Sequence, residues 1–182
     1  MFIQTEATPN PLTLKFMPGV KVMETGTAFF TTAEDAKLSP LATALFQTPG
    51  VTAIFLGSDF VTVTREVSET WEALKPALLT AIMDHFVAGK PVMLPASAIA
   101  VSDDNDSEIV KQIKELIETR VRPAVAQDGG DIIFRGFEDG IVLLELHGSC
   151  SGCPSSTVTL KNGIENMLKH YVPEVIAVEA VA

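Results

Sequence analysis

The chain is short of several things, and each shortage excludes something. It has two cysteines in 182 residues, too few for a disulfide framework, so the pair belongs more naturally to a reducing compartment. No stretch reaches the roughly 18 uncharged apolar residues of a membrane-spanning helix, so a soluble chain with no membrane partner is expected. Basic residues are in the minority, 13 Lys and Arg against 23 Asp and Glu, for a formal net charge of -10. A phosphate backbone needs a basic face, so nucleic acid is an unfavourable partner. His85, His147 and His170 are single residues without ligand spacing. Met1 to Glu6 shows neither the basic-then-apolar pattern of a signal peptide nor the character of a transit peptide, and the chain is expected to stay where it is made.

What is present argues for an α+β protein of two small α/β-type domains, since 182 residues that are 47% hydrophobic can bury a real core. The first is expected over 1–88. Leu12 to Phe16 alternates apolar and polar side chains like a half-buried strand. Ser39-Pro40 starts a short helix through Phe46, with a capping oxygen and a proline where its missing donor is harmless. Val51–Leu56 and Phe60–Arg65 flank Gly57-Ser58-Asp59 as a hairpin. Trp71 to Phe86 has helical apolar spacing, with Pro76 kinking the helix or delaying its start. Trp71 and the phenylalanines read as core.

A shift to proline, alanine and acidic residues marks a linker over 89–107, and a second domain over 108–182. Its pattern is helix, hairpin, helix, strand. Asn105 and Glu108 have the spacing of a capping box, and Ile109, Ile113, Leu116, Ile117 and Val121 form an apolar stripe that Pro123 ends. Asp131–Phe137 and Ile141–His147 form a hairpin through Glu138-Asp139-Gly140, placing Val142, Leu144 and Leu146 on one face and Glu145 and His147 on the other. A helix after Pro154 carries Leu160, Ile164, Met167, Leu168 and Tyr171, and a last strand near Val175–Glu179 joins the sheet.

Both cysteines fall between that hairpin and that helix, in Gly148-Ser149-Cys150-Ser151-Gly152-Cys153-Pro154. A strand-to-helix loop offers free backbone donors and a helix dipole, which favour thiolate, and Gly148 and Gly152 strip bulk from around the sulfurs. Such a pair can bind a metal or part of a metal–sulfur cluster, exchange disulfides, or be a packed turn. Two thiols supply two ligands, whereas structural zinc and all-cysteine clusters take four. A two-fold dimer of the loop would supply the rest.

At these residues the chain resembles the Nfu family of iron–sulfur cluster scaffolds and carriers, whose C-terminal domain is similar to that of NifU. The resemblance runs through Thr119–Pro123, Gln127–Asp131, Gly148–Ser156, Thr159–Glu165 and Pro173–Val175, and in the first half through Thr8–Pro11, Ser39–Ala42 and Asp59–Val63. It implies a non-enzymatic carrier, dimeric or higher when loaded. The carrier holds a [4Fe-4S] cluster, with [2Fe-2S] as the other form, on Cys150 and Cys153. It receives that cluster from a donor scaffold and passes it to apo iron–sulfur client proteins. A bacterial cytoplasm is the simpler compartment, and the mitochondrial matrix the alternative for a mature form. The competing expectations are a thiol–disulfide oxidoreductase on the same pair and a zinc-stabilised dimer. Elsewhere the plain readings lead: Asp128-Gly129-Gly130-Asp131 as a turn, Arg120 and Arg122 as solvated or dipole-serving cations, and His147 as a surface histidine.

Overall fold

The computed structural model describes residues 1–94, 106–151 and 154–181, with backbone only for 154–156. They fall into two compact units, 1–97 and 98–182. Among the described residues no helix is long and apolar enough to cross a membrane.

The first unit is a five-stranded antiparallel sheet in the order β1-β2-β5-β4-β3, from β1 (Gln4–Ala7), β2 (Thr13–Met17), β3 (Ala28–Phe30), β4 (Val51–Leu56) and β5 (Val61–Arg65). The expected hairpin is β4 and β5, paired from Leu56↔Val61. β1 and β3, four and three residues long with little periodicity, carry no sequence signal strong enough to name them. One sheet face packs on α1 (Pro40–Phe46) and α2 (Trp71–Val87) through a core including Phe16, Phe30, Leu41, Leu45, Ile54, Val61, Val63, Leu78 and Ile82. Ser39 caps α1 by accepting from the Ala42 N–H at 3.1 Å. α2 starts at Trp71, and Pro76 lies inside it. That settles the boundary left open above. Trp71 is only half-buried: its Nε1 donates to the Pro11 carbonyl at 3.2 Å and Arg65 stacks on the ring. Phe2 is exposed, against the core reading.

The expected linker falls largely outside the described residues. Up to Leu94 the chain runs against the first unit, with the Leu94 N–H on the Leu38 carbonyl at 2.9 Å.

The second unit opens with α3 (Glu108–Leu116), capped by Ser107, whose side chain accepts from Val110. Asn105, the expected cap, lies outside the described residues. Pro123 does not end this helix. A π turn over Ile117–Val121 widens the coil, and α4 (Arg122–Gln127) starts afresh with the proline in its first turn, where a missing N–H leaves no bond unmade and the ring has room. The hairpin is β6 (Gly130–Glu138) and β7 (Ile141–Gly148), turning on Asp139 (φ 50) and Gly140 (φ 81). After α5 (Pro154–Tyr171), β8 (Ala177–Val181) lies parallel to β7, giving the order β6-β7-β8. Ile113, Ile117, Val121, Ile132, Val142, Leu144, Ile164 and Leu168 form the core. Tyr171 departs from its stripe: it is 42% exposed, with the Arg120 guanidinium 4.9 Å over its ring.

Candidate functional site

The end of β7 delivers the chain to Cys150, and the start of β6 builds the wall it meets. Gly129 (φ 77) turns the chain out of α4, and Gly148 (φ 65) turns it out of β7. The register pairs Gly130 with Gly148. The Ser149 N–H donates to the Gly129 carbonyl at 3.2 Å, the Ser149 hydroxyl donates to the Asp128 carbonyl, and the Ser151 N–H donates to Gly148 at 3.1 Å. The two turns are thereby tied to each other. From the far side the Thr157 hydroxyl of α5 reaches the Cys150 carbonyl at 3.4 Å.

Gly130 has no positive φ; it is glycine for space. A Cβ built there would stand 2.4 Å from the Cys150 Sγ, 3.0 Å from the His147 carbonyl and 3.2 Å from the Cys150 nitrogen. Cys150 lies with its sulfur against that bare Cα, only 6% exposed and part of the hydrophobic core. Cys153 lies outside the described residues, as does Gly152. The thiolate expected from the helix dipole is not what the free chain holds at Cys150. Burial pushes the thiol up to about 11; the neighbouring Ser149 hydroxyl works against this, and the negative charges of Asp128 and Asp131 add to it.

Around this berth lies an ionic frame that the plain readings missed. Arg122 is not a free cation: its Nε and Nη2 donate to the two Asp131 carboxylate oxygens at 2.8 Å each, and Nη1 to Glu118 at 2.6 Å. The Asp131 side chain is 3% exposed and also accepts from the Ile132 N–H at 2.8 Å. These carboxylates, Asp131 first, hold the guanidinium charged. His147 is buried, not a surface histidine; its Nε2 lies 2.7 Å from Glu145 Oε1, and Glu145 also accepts from Arg135. Those bonds, His147 first, hold Glu145 below the usual carboxylate range.

Gly130, read from the sequence as part of a turn, is instead the first residue of β6 and leaves the space that the Cys150 sulfur occupies. Its signal was present in outline, a glycine one step inside a β-rich run. Without the bulge between Phe134 and Gly136, however, the strands would carry it past Gly148 to face Ser149.

Both halves of the chain match known families. Residues 113–179 match the family described as NifU-like domain, and residues 3–89 the one described as Scaffold protein Nfu/NifU N terminal. NifU-like protein 5, mitochondrial, of Arabidopsis thaliana is 55% identical over 185 residues, 98% of this chain and 67% of its own. The NFU1 iron-sulfur cluster scaffold homolog, mitochondrial, of Homo sapiens is 53% identical over 183 residues, 100% of this chain and 72% of its own. The chain thus spans about two thirds of the length of these relatives. A solved NifU-like protein from Saccharomyces cerevisiae is 23% identical, covering 53% of this chain and 87% of its own at a TM-score of 0.48. With both halves matched in order and relatives above half identity, this chain belongs to the Nfu family, an Nfu/NifU N-terminal domain followed by a NifU-like domain.

Proposed function

We propose that the chain is an iron–sulfur cluster scaffold and carrier, holding the cluster as cargo on Cys150 and Cys153 and passing it to apo-proteins. The observation that carries this reading is the cradle at Cys150: a soft sulfur donor at the end of β7, walled by a bare Gly130 Cα and fixed by two glycine turns. Thiolates suit iron–sulfur chemistry better than the surrounding carboxylates. The human relative, named an iron–sulfur cluster scaffold homolog, supports the same cargo. This is carriage, not catalysis: transfer needs ligands that exchange, and no acid or base.

Two thiolates per chain are half of a four-ligand shell, so the loaded form is a dimer or a multiple of it around a [4Fe-4S] cluster. A [2Fe-2S] form would use the same four sulfurs. Because Cys150 is buried in the free chain, loading draws its sulfur out from under Gly130. The partners are a cluster donor and apo iron–sulfur clients. Of the two compartments expected, the named relatives favour the mitochondrion over the bacterial cytoplasm. The division into 1–88, a linker over 89–107 and 108–182 belongs to the same proposal. Anaerobic reconstitution with iron and sulfide, read by Mössbauer spectroscopy and solution mass, gives about one four-iron cluster per dimer. Cys150→Ala and Cys153→Ala each abolish it. A full cluster retained by either variant, or by a strict monomer, overturns the reading.

A further inference from the structure

In the free chain the Cys150 sulfur already has a place of its own. It occupies the space that a side chain at Gly130 would fill, beside the His147 carbonyl and the Cys150 nitrogen. Gly130 has no left-handed φ that would call for a glycine, so the missing side chain serves the space and not the backbone. Cys150 is buried there in the core that includes Val125, Ile132 and Ile164. The backbone around it is tied on both sides. The Ser149 N–H donates to the Gly129 carbonyl at 3.2 Å, the Ser151 N–H to the Gly148 carbonyl at 3.1 Å, and the Thr157 hydroxyl to the Cys150 carbonyl at 3.4 Å. The least motion that brings the sulfur out is therefore a change of side-chain rotamer, with the loop left in place.

A cluster shared between chains meets its ligands at the surface, and one sulfur cannot be there and in the core together. A ligand that binds only a minor conformer loses affinity in proportion to that conformer's population. Resting on the carrier reading above, we infer that the space beside Gly130 is a release device: it offers the Cys150 sulfur a buried position that competes with iron and keeps the cargo transferable. In the transfer step the bond from iron to Cys150 breaks, and its electron pair stays on the sulfur. A cysteine of the apo-protein gives its proton to solvent and supplies the pair that replaces it on iron. Cys150 takes a proton from solvent and turns back under Gly130. No oxidation state changes. A sulfur packed in the core does not stand ready to rebind, so the vacated iron position stays open to the incoming cysteine. Gly130 is thus a positioning residue: it acts on the ligand and not on the cargo.

The test compares the full chain with Gly130→Ala, which closes the space. Gly140→Ala is the control for stability, because Gly140 (φ 81) turns the far end of the same hairpin. Metal-free chains are titrated with Cd²⁺ and read by sulfur-to-metal charge-transfer absorption. Gly130→Ala binds about ten-fold tighter than the parent, as for a space occupied about nine-tenths of the time, and Gly140→Ala binds as the parent does. Loaded with iron and sulfide, Gly130→Ala passes its cluster to an apo-protein with a four-cysteine site about three-fold or more slowly, while Gly140→Ala keeps the parent's rate. In the parent itself, three-bond NMR couplings report one Cys150 χ1 rotamer without metal and another with Cd²⁺ bound, a readout that needs no variant to fold. Equal Cd²⁺ affinity, equal or faster transfer from Gly130→Ala, the same shifts in Gly140→Ala, or an unchanged Cys150 rotamer overturns the inference. A parent that takes up no iron and sulfide overturns the carrier reading instead, and the Cd²⁺ titration still decides whether the space competes for the sulfur.

Discussion

Replacing Gly130 by alanine tests the berth at Cys150 directly. The new Cβ would stand 2.4 Å from Sγ, where ordinary contact begins at 3.4 Å, and its other near neighbours, at 3.0 and 3.2 Å, are backbone atoms in the sheet and loop. The backbone holds, so the sulfur retreats by about an ångström or swings out. Overpacking of this kind costs about 1–3 kcal/mol. Because Gly130 is not in the left-handed region, alanine returns about 0.4–1 kcal/mol by restricting the unfolded chain, leaving a net loss of about 1–2 kcal/mol. The two units need not melt as one transition, but the chain has one tryptophan and one tyrosine, Trp71 in the first unit and Tyr171 in the second. In urea the Tyr171 transition falls by about 1–2 M, for a slope near 1 kcal/mol per molar, while the Trp71 transition stays put. Site-resolved alkylation of the metal-free chain rises at Cys150 by about ten-fold or more as the sulfur becomes accessible. An unmoved Tyr171 midpoint with unchanged Cys150 alkylation would refute the claim that Gly130 is glycine to house the sulfur.

Three further outcomes follow from the second unit, each read on the Tyr171 transition. Arg122→Ala leaves the Asp131 carboxylate, 3% exposed, without its two-pronged partner and costs about 2–4 kcal/mol; a change below about 0.5 kcal/mol would mean that the pair is not structural. Glu145 is held below its ordinary 4.5 by His147 first and Arg135 next, so its stabilisation is present above that value and drains away as pH falls through the lowered folded-state value. Glu145→Gln flattens the acid side of the stability profile relative to the parent, and parallel profiles would count against this. At Gly140 (φ 81) an added Cβ meets Ile176 at 2.7 Å, but Ile176 is 65% exposed and can move aside. Backbone strain and the Glu174 carbonyl oxygen, 3.1 Å from the new Cβ, decide instead, and Gly140→Ala costs about 1–2 kcal/mol; an unchanged midpoint would count against this.

Wherever local chemistry left one option, the sequence was legible. The Ser39-Pro40 cap, the β4–β5 hairpin, the β6–β7 hairpin and the α5 stripe through Ile164 and Leu168 are each specified by side chains within a few residues, because caps, turns and periodicity act at that range. Errors arose where distant residues decided. Pro123 read as a stop until a π turn made room for it, Arg122 as a free cation until Asp131 was beside it, and His147 as exposed until the fold covered it.

By itself the sequence determined the two α+β halves and the pair of cysteines between a hairpin and a helix, since both are local patterns of residue type. Only the tertiary structure decided that a bulge in β6 sets Gly130 opposite Gly148 and that the Cys150 sulfur lies buried against it. Register and burial are properties of pairs far apart in the chain, and spacing along one strand or helix does not specify them.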